Sequence, residues 1–398
     1  MQPELVRIWL RPLSIALSAR ISQGPTCSIS AYGFPPSKSN AGLNCYQVSA
    51  MSSLTSFYAN QLRQEIAARN RRYARDRPHV ESYGSAPVIV YAPEGTRHGN
   101  FFDPAYAAIS AHPAWMRRFS KVHAQAARSL PKAERRWREL DSCTSSDALL
   151  MNVFCAPGVI ASSRLRRALG LDDDAEPIFG WKARVPLSNG HFDRTEVDMR
   201  IGALLVEAKL TEADFQTCKA AAVEQYRDLD EVFDRSLLPR FELPPPRRKQ
   251  PTEFPENYSQ EYESFVIQPD QDPRAILPDI SVPFAPPEMV SAASSERGES
   301  GYASYQLIRN VLAAHAEQCS FCVICDERRP DLREQWFQVM SAVKSAGLRT
   351  RLKIITWQEL AAFLCEDLQA FLDVKYGIAA PGRSPSPITE QTTSESSS

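Results

Sequence analysis

The residues whose types and spacing suit chemistry lie between His191 and Leu210. This segment reads as two short strands joined at Gly202, and side chains on a strand alternate in facing. Glu196, Asp198 and Arg200 therefore share one face of the first strand, and Leu205, Glu207 and Lys209 share one face of the second. With the charged faces on the same side of a sheet, Asp198 and Glu207 approach each other, and two close carboxylates repel unless a cation sits between them. Oxygen donors with water suit Mg2+ or Mn2+, which polarises a phosphoryl oxygen and lowers the pKa of bound water. Lys209 then stands beside the attacking water, where an ammonium stabilises the charge that grows in the transition state. Glu196 either adds a ligand or merely shares the face. The plainer alternative is a solvated sheet face held by cross-strand ion pairs worth about 0.2–1 kcal/mol each.

These residues need elements to position them. Ile178–Val185, Thr195–Ile201 and Leu204–Lys209 are strand candidates separated by turn residues, which predicts an antiparallel meander. Before it, apolar spacing predicts a helix from Leu54 to about Arg75, a short strand over Pro87–Tyr91, and helical structure from Pro131 to Phe154. The last of these breaks around Ser142–Ser146, where Ser145 or Ser146 suits an N-cap. After the meander, Ala213 to about Leu238 has helical periodicity. Helices over Tyr302–Glu317, Asp331–Ala346 and Trp357–Leu372 then alternate with strands over Phe321–Cys325 and Leu352–Thr356, a pattern of α/β class. Pro239–Ser300 is too rich in proline to build a regular core, and the tail from Ala380 has the composition of disorder.

Asp198, a gap of eight residues and Glu207-Ala208-Lys209 on the next strand resemble the PD-(D/E)XK nuclease superfamily, with Val197 where the motif name has proline. Within it, Ser145–Asn152, Tyr305–Asn310 and the strand exit Asp326-Glu-Arg-Arg-Pro330 look like a bacterial restriction-endonuclease-like group. The resemblance spans about Arg77 to Leu372, the proline-rich stretch excepted. It implies a restriction-endonuclease-like αβββαβ core, a mixed sheet flanked by helices, with Asp198 and Glu207 as metal ligands and Lys209 completing the catalytic set. It also implies an acid on the preceding helix, with Asp147, Glu139 and Asp141 as candidates. An orienting glutamine or tyrosine is expected too, from Gln306 and Tyr305 or from Gln225 and Tyr226. The implied organisation is a disordered or targeting extension over 1–50, a nuclease-like domain over 51–238 and 301–376, an insertion over 239–300 and a tail over 377–398.

The expected activity is metal-dependent hydrolysis of phosphodiester bonds, with DNA as the expected partner. The competing reading is a catalytically inactive nucleic-acid-binding or interaction module, which has no chemical need of Asp198, Glu207 and Lys209 together. A homodimer is one candidate assembly, because cutting both strands of a duplex usually calls for two centres.

Composition narrows the remaining choices. The 46 basic and 47 acidic residues give a net charge of -1, so a nucleic-acid partner must be held by local patches. The basic run Arg69–Arg77 is one such candidate, or simply a solvated helix end. Charges and prolines break every apolar stretch before it reaches the length of a membrane span. Nine scattered cysteines point to a reducing intracellular compartment, cytoplasmic or nuclear. The arginine- and serine-containing first fifty residues resemble a transit peptide, although Met51 offers an alternative start. Cys319, Cys322 and Cys325 have the two-residue gaps of a cluster site, but Cys322 and Cys325 sit three apart in a strand and point to opposite faces. The six histidines form no zinc-spaced set, and neither a phosphate-binding GKS/T loop nor a GxSxG elbow occurs.

Overall fold

The computed structural model describes residues 41–82, 87–121, 138–171, 176–194, 196–242 and 300–388. At its centre is a five-stranded mixed sheet of β1 (Pro177–Lys182), β2 (Glu196–Ile201), β3 (Leu204–Ala208), β6 (Ser320–Cys325) and β7 (Leu352–Thr356). The spatial order is β7-β6-β3-β2-β1. β1, β2 and β3 pair antiparallel, as expected of a meander, whereas β3–β6 and β6–β7 are parallel. The fold is thus of mixed α/β class.

Two apolar cores lie on the two faces of this sheet. On one, Leu149, Leu150 and Val153 of α3 (Ser146–Phe154) pack with Met199, Val206 and Ile324, joined by Leu62 and Ile66 of α1 (Ala41–Tyr73). Helices α6 (Trp357–Ala361) and α7 (Glu366–Tyr376) close the same face through Trp357, Leu360 and Leu372. On the other face, α4 (Tyr305–Ala316) and α5 (Pro330–Ala342) cover Leu205, Phe321 and Val323. β3, central and covered on both sides, is buried at every position, while β2 alternates half-buried and buried. Cys322 belongs to one core and Cys325 to the other. Among the described residues no helix is long and apolar enough to cross a membrane.

Several boundaries differ from the sequence reading. α1 begins at Ala41 and α4 at Tyr305, because Tyr302 belongs to the strand β5 (Ser300–Tyr302). The expected helix over Ala213–Leu238 is replaced by irregular chain with single turns at Ala220–Val223 and Leu229–Val232 and a two-residue strand, Cys218–Lys219. Its periodic apolar residues, among them Phe215, Val223 and Phe233, are anchors in the second core rather than one helical stripe. Gln216, at φ 62, and the bridge from Phe233 to Val343 break the helical path. That bridge coincides with the end of α5 at Ala342, four residues early. The expected helix over Trp357–Leu372 is split where Cys365 turns extended.

β4 (Arg240–Glu242) pairs with β5, so the two ends of the proline-rich stretch lie side by side, while residues 243–299 fall outside the described residues. Gly377–Ile388, assigned to the tail by composition, touch the body: Ile378 is buried and the otherwise exposed stretch from Pro381 bonds Asp373 of α7 through the amide and the hydroxyl of Ser386. The basic run is mostly engaged within the chain, with Arg69 on Glu65, Arg71 on Glu81 and Arg77 over the Tyr73 ring.

Candidate active site

The site forms where β2 begins and β3 ends. Register pairs Met199 with Val206, Arg200 with Leu205 and Ile201 with Leu204, and continuing it brings Asp198 opposite Glu207. Asp198 Oδ2 accepts the Ala208 amide at 2.8 Å, which ties the two strands at this point. Glu207 is only 1% exposed and Lys209 5%, so this is no ordinary solvated sheet face. Each buried charge instead has defined partners. Lys209 Nζ donates to Glu207 Oε1 at 2.9 Å, and Asn310 Nδ2 of α4 donates to Glu207 Oε2 at 2.9 Å. The Lys209 carbonyl accepts from the Trp357 indole at 3.0 Å, fixing the chain at that residue.

The helix before the sheet supplies Asp147, in the first turn of α3, which Ser145 caps by accepting the Ala148 amide. Of the other two candidate acids, Glu139 pairs with Lys121 and Asp141 with His98 and Arg138. Arg118, at the end of α2 (Pro113–Phe119), links Asp147 to Glu196: Nη2 bonds Asp147 at 2.5 Å and Nη1 bonds Glu196 Oε1. Lys121 also reaches Glu196 Oε1, at 3.0 Å.

The electrostatics follow from this crowding. Burial, then the charge of Glu207 and that of Asp147, push the Asp198 carboxyl well above the usual carboxylate range. Burial also raises Asp147, to about 6, against the opposing pull of Arg118. Burial works against the Lys209 ammonium, but Glu207, Glu212 and Asp198 outweigh it and hold it charged. Glu196 is half-buried, yet Arg118 and Lys121 keep it below its ordinary value.

The bonds of the sequence-predicted orienting residues run to other groups. Tyr305 bonds Tyr226 at 2.8 Å, and Tyr226 bonds Asp193 at 2.6 Å. Gln225 offers its carbonyl to Ser188, and the buried Gln306 Oε1 has no partner. The α4 residue that reaches Glu207 is Asn310, one turn beyond Gln306 and itself held by Arg309 at 2.6 Å. Arg118, Lys121 and Asn310 were not among the predicted site residues: Asn310 closes the Tyr305–Asn310 segment without a role read for it, and Arg118 and Lys121 carry no local signal.

Residues 60–377 match the family model described as restriction endonuclease associating with ARP, so the chain carries a restriction-endonuclease-like domain. The chain belongs to that family. Neither a curated protein nor a solved structure matches it.

Proposed function

We propose that the chain is a Mg2+- or Mn2+-dependent nuclease of PD-(D/E)XK type that hydrolyses phosphodiester bonds of DNA. The observation that carries this reading is the convergence of Asp198, Glu207 and Lys209 on one face of adjacent strands, with Glu207 and Lys209 buried and bonded to each other and half-buried Asp198 tied to the Ala208 amide. The order α3, β1, β2, β3, α4, β6 supports it, because it follows the αβββαβ core of that superfamily. The domain runs over 51–238 and 301–376, interrupted by the insertion at 239–300.

The residues fit a hard divalent ion. Asp198 and Glu207 offer carboxylate oxygens whose mutual repulsion such an ion relieves. Among the described residues no three His, Cys, Asp or Glu side chains surround a common point. Two carboxylates are enough for Mg2+, which is commonly held by one or two and keeps water and substrate oxygens for its other positions. When bound, the ion supplies Lewis-acid polarisation of a phosphoryl oxygen. Lys209 contributes a fixed positive charge for the developing negative charge and orients the attacking water. Asn310 holds Glu207 in place, and Asp147 and Glu196 set the local charge through Arg118.

The test compares the wild type with Lys209→Ala on labelled single-stranded and duplex DNA, in Mg2+, Mn2+ and chelator. The reading expects metal-dependent cutting that falls by a factor on the order of 10²–10³ in the variant. Cleavage that persists in chelator would sink the mechanism. DNA binding by both proteins without any cutting would make the chain an inactive binding module.

A further inference from the structure

Arg118 occupies a place that the chain has cleared for it. Its side chain is 7% exposed, and its two terminal nitrogens bond different carboxylates, Asp147 and Glu196. β1 passes this point at Gly180, which lies between the pairs Phe179–Met199 and Trp181–Val197, so the register sets it against Asp198. Gly180 has φ +67, and a Cβ there would stand 2.9 Å from Arg118 Nη1 and 3.1 Å from Glu196 Cδ. Any other residue would be strained and would collide with the guanidinium.

We infer that Arg118 is a built-in cation that reserves Asp147 and Glu196, so that the centre takes one divalent ion, on Asp198 and Glu207, rather than two. The inference rests on the metal-dependent reading above. A guanidinium is permanently charged and its fork matches carboxylate oxygens, so it offsets part of the charge of this pair without a dissociable ligand, and Lys121 adds to it at Glu196. A second divalent ion shared by Asp147 and Glu196 would have to expel Arg118 from both, leaving a buried charge without partners. Asp147 is then a positioning residue: it holds Arg118 and does not ligate metal.

Mn2+ titration of the full chain, by calorimetry and by the spin-resonance signal of free Mn2+, counts the ions directly and needs no turnover. One ion per chain is expected for the wild type and for Asp147→Asn. Arg118→Met frees Asp147, leaves Glu196 with its bond to Lys121 alone and is expected to bind two, and Gly180→Ala, which displaces the guanidinium, is expected to admit a second, weaker ion. Thermal melts show which variants fold, and the wild-type count stands even if Arg118→Met does not. Two ions in the wild type, falling to one in Asp147→Asn, would overturn the inference and leave the metal-dependent reading intact. A wild type that binds no Mn2+ would overturn both.

Discussion

Two buried polar regions border β3 and β6, and they handle charge in opposite ways. Where β6 ends, Asp326 is fully buried and closed by Arg328 at 2.6 and 2.7 Å and by Gln358 at 3.0 Å. Its neighbour Arg329 is equally buried, takes both oxygens of Asp331, and donates to the carbonyls of Leu210, Glu212 and Ala213. Every charge there meets an opposite one. At the end of β3, by contrast, Glu207 and Asp147 both repel the Asp198 carboxylate, and Asp198 and Asp147 are pushed up in pKa. The first region is balanced charge by charge, whereas the second keeps like charges close, as the proposed metal-binding role requires. They are joined, because the carbonyls that Arg329 gathers belong to the chain directly after Lys209.

The largest way to break this contrast is Arg329→Met. It strands Asp331 and frees three carbonyls, and a urea melt should show a loss of about 3–5 kcal/mol. The next sharpens it by pH, in chelator. Asp147 titrates near 6 when folded against 3.8 unfolded, so between these values the native state binds more protons than the unfolded one. Stability from this group is therefore fully present below pH 3.8 and is lost as pH rises through about 6, by about 2–3 kcal/mol. The pH-dependent difference between the wild type and Asp147→Asn isolates it, and a difference of opposite sign would refute the assignment. Removing the brace on Glu207 is a smaller change: Asn310→Ala should weaken Mn2+ binding by a factor on the order of 10–100. The smallest effect has the unusual sign. Asp198→Asn removes a repelling charge and keeps an oxygen for the Ala208 amide, so the metal-free protein should gain about 1–2 kcal/mol while losing cleavage.

The hairpin carrying Asp198, Glu207 and Lys209 was legible because strand alternation is local and its charged and apolar phases are clean. β7 was placed at its observed bounds as a short, mostly apolar segment between two helical patterns. The 213–238 segment was misread because buried anchors on irregular chain can mimic a helical period. Arg118 and Asn310 were out of reach for a different reason. Arg118 meets Glu196 across 78 residues and Asn310 meets Glu207 across 103, and such contacts leave no local pattern. The Asp326–Pro330 exit carries a resemblance in its sequence, but its bracing of the chain after Lys209 emerges only from the carbonyls that Arg329 gathers.

The pairing of β4 with β5 bears on how freely this chain can vary in length. Arg240 lies beside Tyr302 and Glu242 beside Ser300, so the excursion between them leaves and returns through one doorway. The entropy of closing such a loop grows only logarithmically, about 0.6 kcal/mol for each doubling of its length. Because β4 and β5 hold the two ends together, a change in the number of residues between Glu242 and Ser300 bears little on the sheet that holds Asp198 and Glu207.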